Sequence, residues 1–310
     1  MIPPNLKSVS DIHTICFHSP LRCTASPGEP RIPDLNDLTP SGREVVPEVR
    51  HASPVQSALS PSALSCDTVL VQRCPTCFRG NSFSQSLING ADIYVATDSN
   101  FHHQHRCSAG ESPVFYNLRF FLPKSQVDAV NQCIEQARKR PVHHQQARVP
   151  DEAVDHCKST HEAADGKKQK SSMDSYDDTG IMVLICRHDI PLFFANIDSP
   201  GEQQKYSIAL IEHLFSLLPP AVTVVVLYDI GCVVKRSITQ VHVQDHSFAD
   251  MVTGRFQYDI LGASITSRLR FTTTAMHAYG HEWACQLEYN PQLIQGLGLT
   301  DSEGTERLWS

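Results

Sequence analysis

No stretch of this chain supplies the roughly 18 consecutive apolar residues that a membrane-spanning helix needs, and Met1–Ser10 has no apolar core of the kind a secretory leader carries. Both absences lead to the expectation of a soluble intracellular protein with no membrane partner. Surplus positive charge is missing as well: 26 Lys and Arg stand against 33 Asp and Glu, for a formal net charge of -7. A chain of that sign does not coat nucleic acid by bulk charge, so any contact with a polyanion must use local basic patches or a metal. Eleven Cys are spread over 310 residues, without the density of a disulfide-stapled secreted scaffold. Reduced thiols are the expectation, some of them available to a metal. A sustained hydrophobic period is lacking in residues 1–65, which hold ten of the twenty Pro among Ser and acidic residues. Such a segment buries too little apolar area to offset its ordering entropy and is expected to be disordered.

What is present begins with Ala221–Cys232, Ala-Val-Thr-Val-Val-Val-Leu-Tyr-Asp-Ile-Gly-Cys. The uncharged, β-branched run from Val222 to Leu227 is the signature of a strand covered on both faces. It stops at Asp229. A carboxylate at the end of a buried strand is poorly solvated and needs a cation or a substrate, although the same Asp can also cap the next turn. Ile93–Thr97 repeats the pattern, with Asp98 at its end and His102, His103 and His105 close behind. Hydrophobic content of 41% supports a sizeable core.

Taken in order, Asp67–Arg73 reads as a short strand, followed by the knuckle Cys74-Pro-Thr-Cys77, which is half a zinc site or two free thiols in a turn. Val114–Leu122 reads as a strand stopped by Pro123, and Gln126–Arg138 has helical spacing of its apolar residues. Residues 139–178 are polar and are expected to be an exposed insertion. Gly180–Arg187 and Leu192–Ile197 are buried strands, and an amphipathic helix runs from Pro200-Gly-Glu to Leu218. Val233–Gly262 reads as mainly helical and Arg268–Ala275 as a last strand. Thr300, Asp301 and Ser302 are all good N-caps, so a helix is expected there with Glu303 and Glu306 on one face.

Strand–Asp98, two further strands, helix, strand–Asp229, strand, then a helix bearing Glu is the element order of a ribonuclease-H-like sheet. The expected fold class is therefore α/β, a mixed sheet flanked by helices over residues 66–310. In that order the first and fourth strands adjoin, which brings Asp98 and Asp229 together, with a third carboxylate arriving late. Mg²⁺ or Mn²⁺ takes such oxygen ligands, and two ions about 3.5–4 Å apart can serve phosphoryl transfer. His277, His281 and Cys285 recur every four residues and, on a helix, would share one face. With Cys186 or Cys232 they offer a Zn²⁺ site, and His188 adds a further ligand. Buried Cys with backbone-bonded His is the competing arrangement.

Cys186-Arg-His188, Gly201-Glu202 with Lys205-Tyr206, Tyr228-Asp-Ile-Gly-Cys232, His277-Ala-Tyr-Gly-His281, Cys285-Gln-Leu287 and Gly296–Ser310 resemble successive motifs of the Kyakuja–Dileera–Zisupton transposases. The resemblance implies a ribonuclease-H-like core with an Asp-Asp-Glu metal triad, here Asp98, Asp229 and either Glu306 or Glu303, with Glu306 favoured. It implies DNA as partner, both transposon ends and target, leaves room for a homo-oligomer, and implies action in the nucleus. Ser99 replaces the Gly common after the first Asp, and the family's amino-terminal zinc-binding segment is not evident in residues 1–65. Ser310 falls within the helix that carries the third carboxylate, so the chain reads as a carboxy-terminally truncated copy, expected to be inactive. A non-catalytic, zinc-stabilised DNA- or protein-binding module is the alternative.

Overall fold

Along Ile93–Asn100 (β1) the side chains alternate between two apolar layers: Ile93 and Val95 enter one, Tyr94 and Ala96 the other. A strand imposes that period of two, and burial on both sides explains why the run is apolar throughout. Gly180–Cys186 (β2) repeats it, with Met182, Leu184 and Cys186 in the first layer and Ile181, Val183 and Ile185 in the second. Pro191–Ile197 (β3), Val224–Leu227 (β4) and Leu269–Thr272 (β5) complete a five-stranded sheet of order β3-β2-β1-β4-β5. The first three strands form an antiparallel meander, whereas β4 is parallel to β1 and β5 is parallel to β4. This computed structural model describes residues 65–80, 82–110, 119–139, 142–143, 148–166, 175–239, 241–242 and 260–310.

Helices Thr68–Arg73 (α1), Pro75–Phe78 (α2), Lys124–Arg138 (α3), Asp151–Gly166 (α4), Gln204–Ser216 (α5) and Gly231–Thr239 (α6) all contribute to the first layer. The apolar side of α5 is fully inside, with Tyr206, Ile208, Leu210, Ile211 and Leu214 at 0% exposure. Each such side chain contributes about 1.5–3 kcal/mol by leaving water, so this face contributes heavily to stability. The second layer is thinner. It is closed by Ile294 and Leu297, and by Leu308 and Trp309 of the short helix Gly304–Trp309 (α8), while Trp283–Tyr289 (α7) sends Cys285 into the first layer. Among the described residues no helix is long and apolar enough to cross a membrane.

The mixed α/β sheet flanked by helices agrees with the expectation, but several elements differ. Asp67–Arg73 is not a strand. Asp67 caps α1 by accepting from the Val69 N–H at 2.8 Å, and only Leu70 of that helix is buried, so nothing rewards an extended form. β1 does not stop at Asp98 but continues to Asn100, because β2 pairs with it along the far edge. Of Val114–Leu122, residues 114–118 lie outside the described residues, and Phe121 bridges to Phe194 beside β3. In the stretch expected to be helical after Cys232, α6 ends at Thr239, and residues 240 and 243–259 lie outside the described residues. So do residues 1–64, where disorder was expected. The polar stretch 139–178 is not wholly peripheral, since α4 buries Val154 and Cys157 in the first layer. The last helix begins at Gly304 rather than Thr300, because Ser302 sits at φ +59, outside the helical region.

Candidate active site and metal-binding clusters

β1 and β4 run side by side in parallel, with Ala96 opposite Leu227. Two residues further along each strand path stand Asp98 and Asp229, so two carboxylates distant in sequence reach the same level of the sheet. Asp98 falls in alternation with Ala96 along β1, which places it toward the second layer, and Asp229 stands in the turn just past the end of β4. The crowding shows in their charge. Burial, reinforced by the Asp229 carboxylate and then by Glu306, pushes the Asp98 carboxyl up to about 7.

Each Asp is held by neighbours. Asp229 Oδ1 accepts from Thr274 Oγ1 at 2.8 Å and lies 3.0 Å from His277 Nδ1. That bond to Asp229 pulls the His277 imidazole up to about 9, helped by the Glu303 and Glu306 charges. Asp98 Oδ2 accepts from Trp309 Nε1 at 3.1 Å, and the His103 ring stands 6.0 Å from the same indole. Glu303 gives one oxygen to the Met276 N–H at 3.0 Å and is half-buried, whereas Glu306 is exposed. Both therefore reach the site, through different duties.

Glu202 also belongs to this site, and the sequence singled it out only as part of a motif. Its side chain is 7% exposed and its Oε1 accepts from the Tyr228 hydroxyl at 2.7 Å. Burial, then the Asp98 charge, pushes its carboxyl up to about 8. The signal that could have found it is Gly201-Glu202 at the mouth of α5, a carboxylate just before a fully apolar helix face.

Three groups here, Asp98, Glu202 and His277, bind protons more tightly in the folded chain than in the unfolded one. Where the native state holds more protons, stability falls as pH rises. The windows run from the unfolded values of 3.8, 4.5 and 6.5 to about 7, 8 and 9, and they overlap between pH 6.5 and 7. The melting temperature is expected to fall from pH 6.5 to 9 without added divalent cation, and less steeply with Mg²⁺ present. A melting temperature that rises over that range would refute this account of the site.

The Cys and His residues sort differently from the sequence expectation. Cys74, Cys77, Cys186 and His188 form one group and Cys157, Cys232, His281 and Cys285 another, with ligand atoms within 4.8 Å of one another in each. His277 belongs to neither. Residues His277–Gly280 form a tight 3-10 turn, His281 is extended and Glu282 is not helical, so no continuous helix carries His277, His281 and Cys285 on one face. Cys157, from the stretch expected to be exposed, completes the second group instead. In the first group His188 Nδ1 lies 3.5 Å from Cys74 Sγ and 3.2 Å from Cys77 Sγ. In the second, Cys232 Sγ is 3.6 Å from His281 Nδ1, and Cys157 Sγ is 3.7 Å from Cys285 Sγ. Three sulfurs and one imidazole, largely buried, make a donor set compatible with zinc. The Cys157 thiol is drawn down to about 5, chiefly by its hydrogen bond with Cys232, whose own thiol the same contact pushes up.

A family model described as Kyakuja-Dileera-Zisupton transposase matches residues 91–310. No curated protein and no solved structure matches the chain. The matched span contains the whole five-stranded sheet, Asp98 and Asp229, Glu202 and every ligand of the second Cys/His group, and membership of such a family implies DNA as the partner. This chain belongs to the Kyakuja-Dileera-Zisupton transposase family.

Proposed function

We propose that the protein is a transposase core of ribonuclease-H-like architecture that cleaves and joins DNA strands with the help of Mg²⁺ or Mn²⁺. The observation that carries this reading is that Asp98 of β1 and Asp229, two residues past the end of the adjacent parallel strand β4, stand close enough for the Asp229 charge to act on the Asp98 carboxyl. The strand order β3-β2-β1-β4-β5, in which the first and fourth strands adjoin, supports that architecture. Chromosomal DNA as substrate implies work in the nucleus.

The donors suit a hard cation: all are carboxylate oxygens, and the Asp98 and Asp229 charges oppose one another at the end of a buried sheet. Asp98, Asp229 and Glu306 would hold the ion, with Glu303 as the competitor for the third place. A bound divalent cation supplies charge neutralisation and Lewis acidity at a phosphate. His277 and Thr274 fix the Asp229 carboxylate, and the Trp309 N–H fixes that of Asp98, so that neither has to reorganise when substrate arrives. Glu306 is favoured over Glu303 because Glu303 already serves the Met276 N–H, while the Glu306 charge acts on both Asp98 and His277.

Mg²⁺-dependent nicking of supercoiled plasmid by the full chain tests this, and no nicking by the parent would overturn it in favour of the inactive copy expected from the sequence. Glu306→Gln is expected to lose about a hundredfold or more, whereas Glu303→Gln is expected to retain most activity and lose stability. The opposite ranking would make Glu303 the ligand. Equal activity of both variants and the parent would remove the carboxylate triad altogether.

A further inference from the structure

We propose that the two Cys/His tetrads each hold one Zn²⁺, and that each ion braces one arm of the acidic site. The zinc part stands on the tetrads alone; the bracing part rests on the proposed role of the carboxylates.

Each tetrad unites segments far apart in the chain. The first takes Cys74 and Cys77 from the α1–α2 segment, Cys186 from the end of β2 and His188 from the turn between β2 and β3. Cys74 and Cys77 precede residue 91, where the family match begins, so this site reaches beyond that match. The second takes Cys157 from α4, Cys232 from the first turn of α6, and His281 and Cys285 from the chain at α7. Cys-x-x-Cys in the first and His-x-x-x-Cys in the second are spacings that let two donors face one ion. Cys74, Cys157, Cys186, Cys232 and Cys285 are buried, and all are free thiols. Three thiols and an imidazole packed so closely in an apolar layer are costly unless a cation takes up their lone pairs.

The placement links them to the carboxylates. Cys232 follows Asp229 by one turn of chain, and His281 follows His277, which holds Asp229, by another. An ion shared by Cys232 and His281 therefore fixes the backbone on both sides of that ion pair. At the other tetrad, Asp189 is the next residue after His188 and sits in the left-handed region at φ 59. Its carboxylate receives Arg307 Nε at 2.8 Å and Nη2 at 3.1 Å, and Arg307 is the neighbour of Glu306 in α8. With only six residues, α8 depends on such anchors, because a helix that short does not hold itself. The first tetrad thus steadies the arm that presents Glu306, and the second the arm that presents Asp229.

The test is zinc content of the full chain by elemental analysis and native mass spectrometry, with hydrogen exchange as the second readout. Two Zn²⁺ per chain are expected in the parent protein, one in Cys157→Ser and one in Cys77→Ser. Replacement by Co²⁺ should give thiolate charge-transfer and intense d–d bands of a tetrahedral site, which the parent protein reports even where a variant does not fold. Exchange should rise at residues 229–239 and 274–289 in Cys157→Ser, and at residues 65–80, 186–190 and 304–310 in Cys77→Ser. Zinc below one per chain, an unchanged content in both variants, or a Cys157–Cys285 disulfide in the parent protein would overturn the sites. Loss of zinc with unchanged exchange at those segments would overturn the bracing. Neither readout requires DNA cleavage, so the zinc sites can fail while the acidic site stands, and the reverse.

Discussion

Asp229→Asn is expected to lower Mg²⁺-dependent DNA cleavage on the order of a thousandfold or more, the scale on which losing one preorganised charge-stabilising group is felt. The substitution keeps the volume and keeps an oxygen for Thr274 and His277, so the fold should survive it. Stability at neutral pH is expected to fall modestly, because Asp229 is the charge that holds His277 protonated and relief at Asp98 returns only part of that. The Asp229 charge is second only to burial in holding the Asp98 carboxyl up at about 7, and without it Asp98 ionises more readily. Reduced cleavage with a retained fold and a modestly lower melting temperature at neutral pH is therefore the joint expectation. Single-turnover cleavage over a range of Mg²⁺ concentrations, beside a thermal melt, measures both. Cleavage at the parent rate and with the parent's metal dependence would count decisively against a catalytic Asp229.

Gly296→Ala is expected to have the largest effect on stability, a loss of about 3 kcal/mol or more and a fall in melting temperature of roughly 6–12 °C. Two insults coincide. Gly296 has φ +87, where a side chain is strained, and a Cβ there would sit inside the backbone of Asn89 and Gly90. That backbone cannot move aside freely. The Asn89 carbonyl accepts from Gln85 Nε2 at 2.7 Å, and the Gly296 carbonyl accepts from the Tyr94 hydroxyl at 3.1 Å, which ties the loop to β1. Gly298→Ala is the control: its φ is +59 but nothing lies within 4 Å, so only the left-handed backbone cost of about 1–2 kcal/mol applies. Urea denaturation of the two variants decides the matter. If Gly296→Ala unfolds no more easily than Gly298→Ala, the close approach of the two loops is not a feature of the folded protein. Because residues 297–303 lead from this contact into α8, loss of cleavage should accompany loss of stability in Gly296→Ala.

Much of the sheet was legible because its signals are local. Val224–Leu227 and Gly180–Cys186 read as doubly covered strands from their β-branched and aliphatic runs, and α5 read as a helix from its period. The short elements misled. Thr68–Arg73 is as apolar as a strand, and its helical state depends on Asp67 as a cap and on having no strand beside it. Ser302 broke the expected start of α8 through a backbone conformation that its side chain does not announce.

By itself the sequence determined the α/β class, the two Asp at the ends of apolar runs and the motif string that carries the family, because each resides in a few consecutive residues. Which residues share a site was decided only by the tertiary structure. Cys157 lies in a polar stretch and has no motif of its own, yet α4 delivers it to Cys232, His281 and Cys285. His277 looked like a zinc ligand by its spacing of four, but a 3-10 turn and an extended His281 aim it at Asp229 instead. Glu202 and Trp309, more than a hundred residues apart, both join the acidic site, one through the Tyr228 hydroxyl and the other through Asp98 itself. Local periodicity encodes which face of an element is apolar, whereas the meeting of distant polar groups depends on sheet order and on how helices cross it. No spacing rule along the chain contains that information.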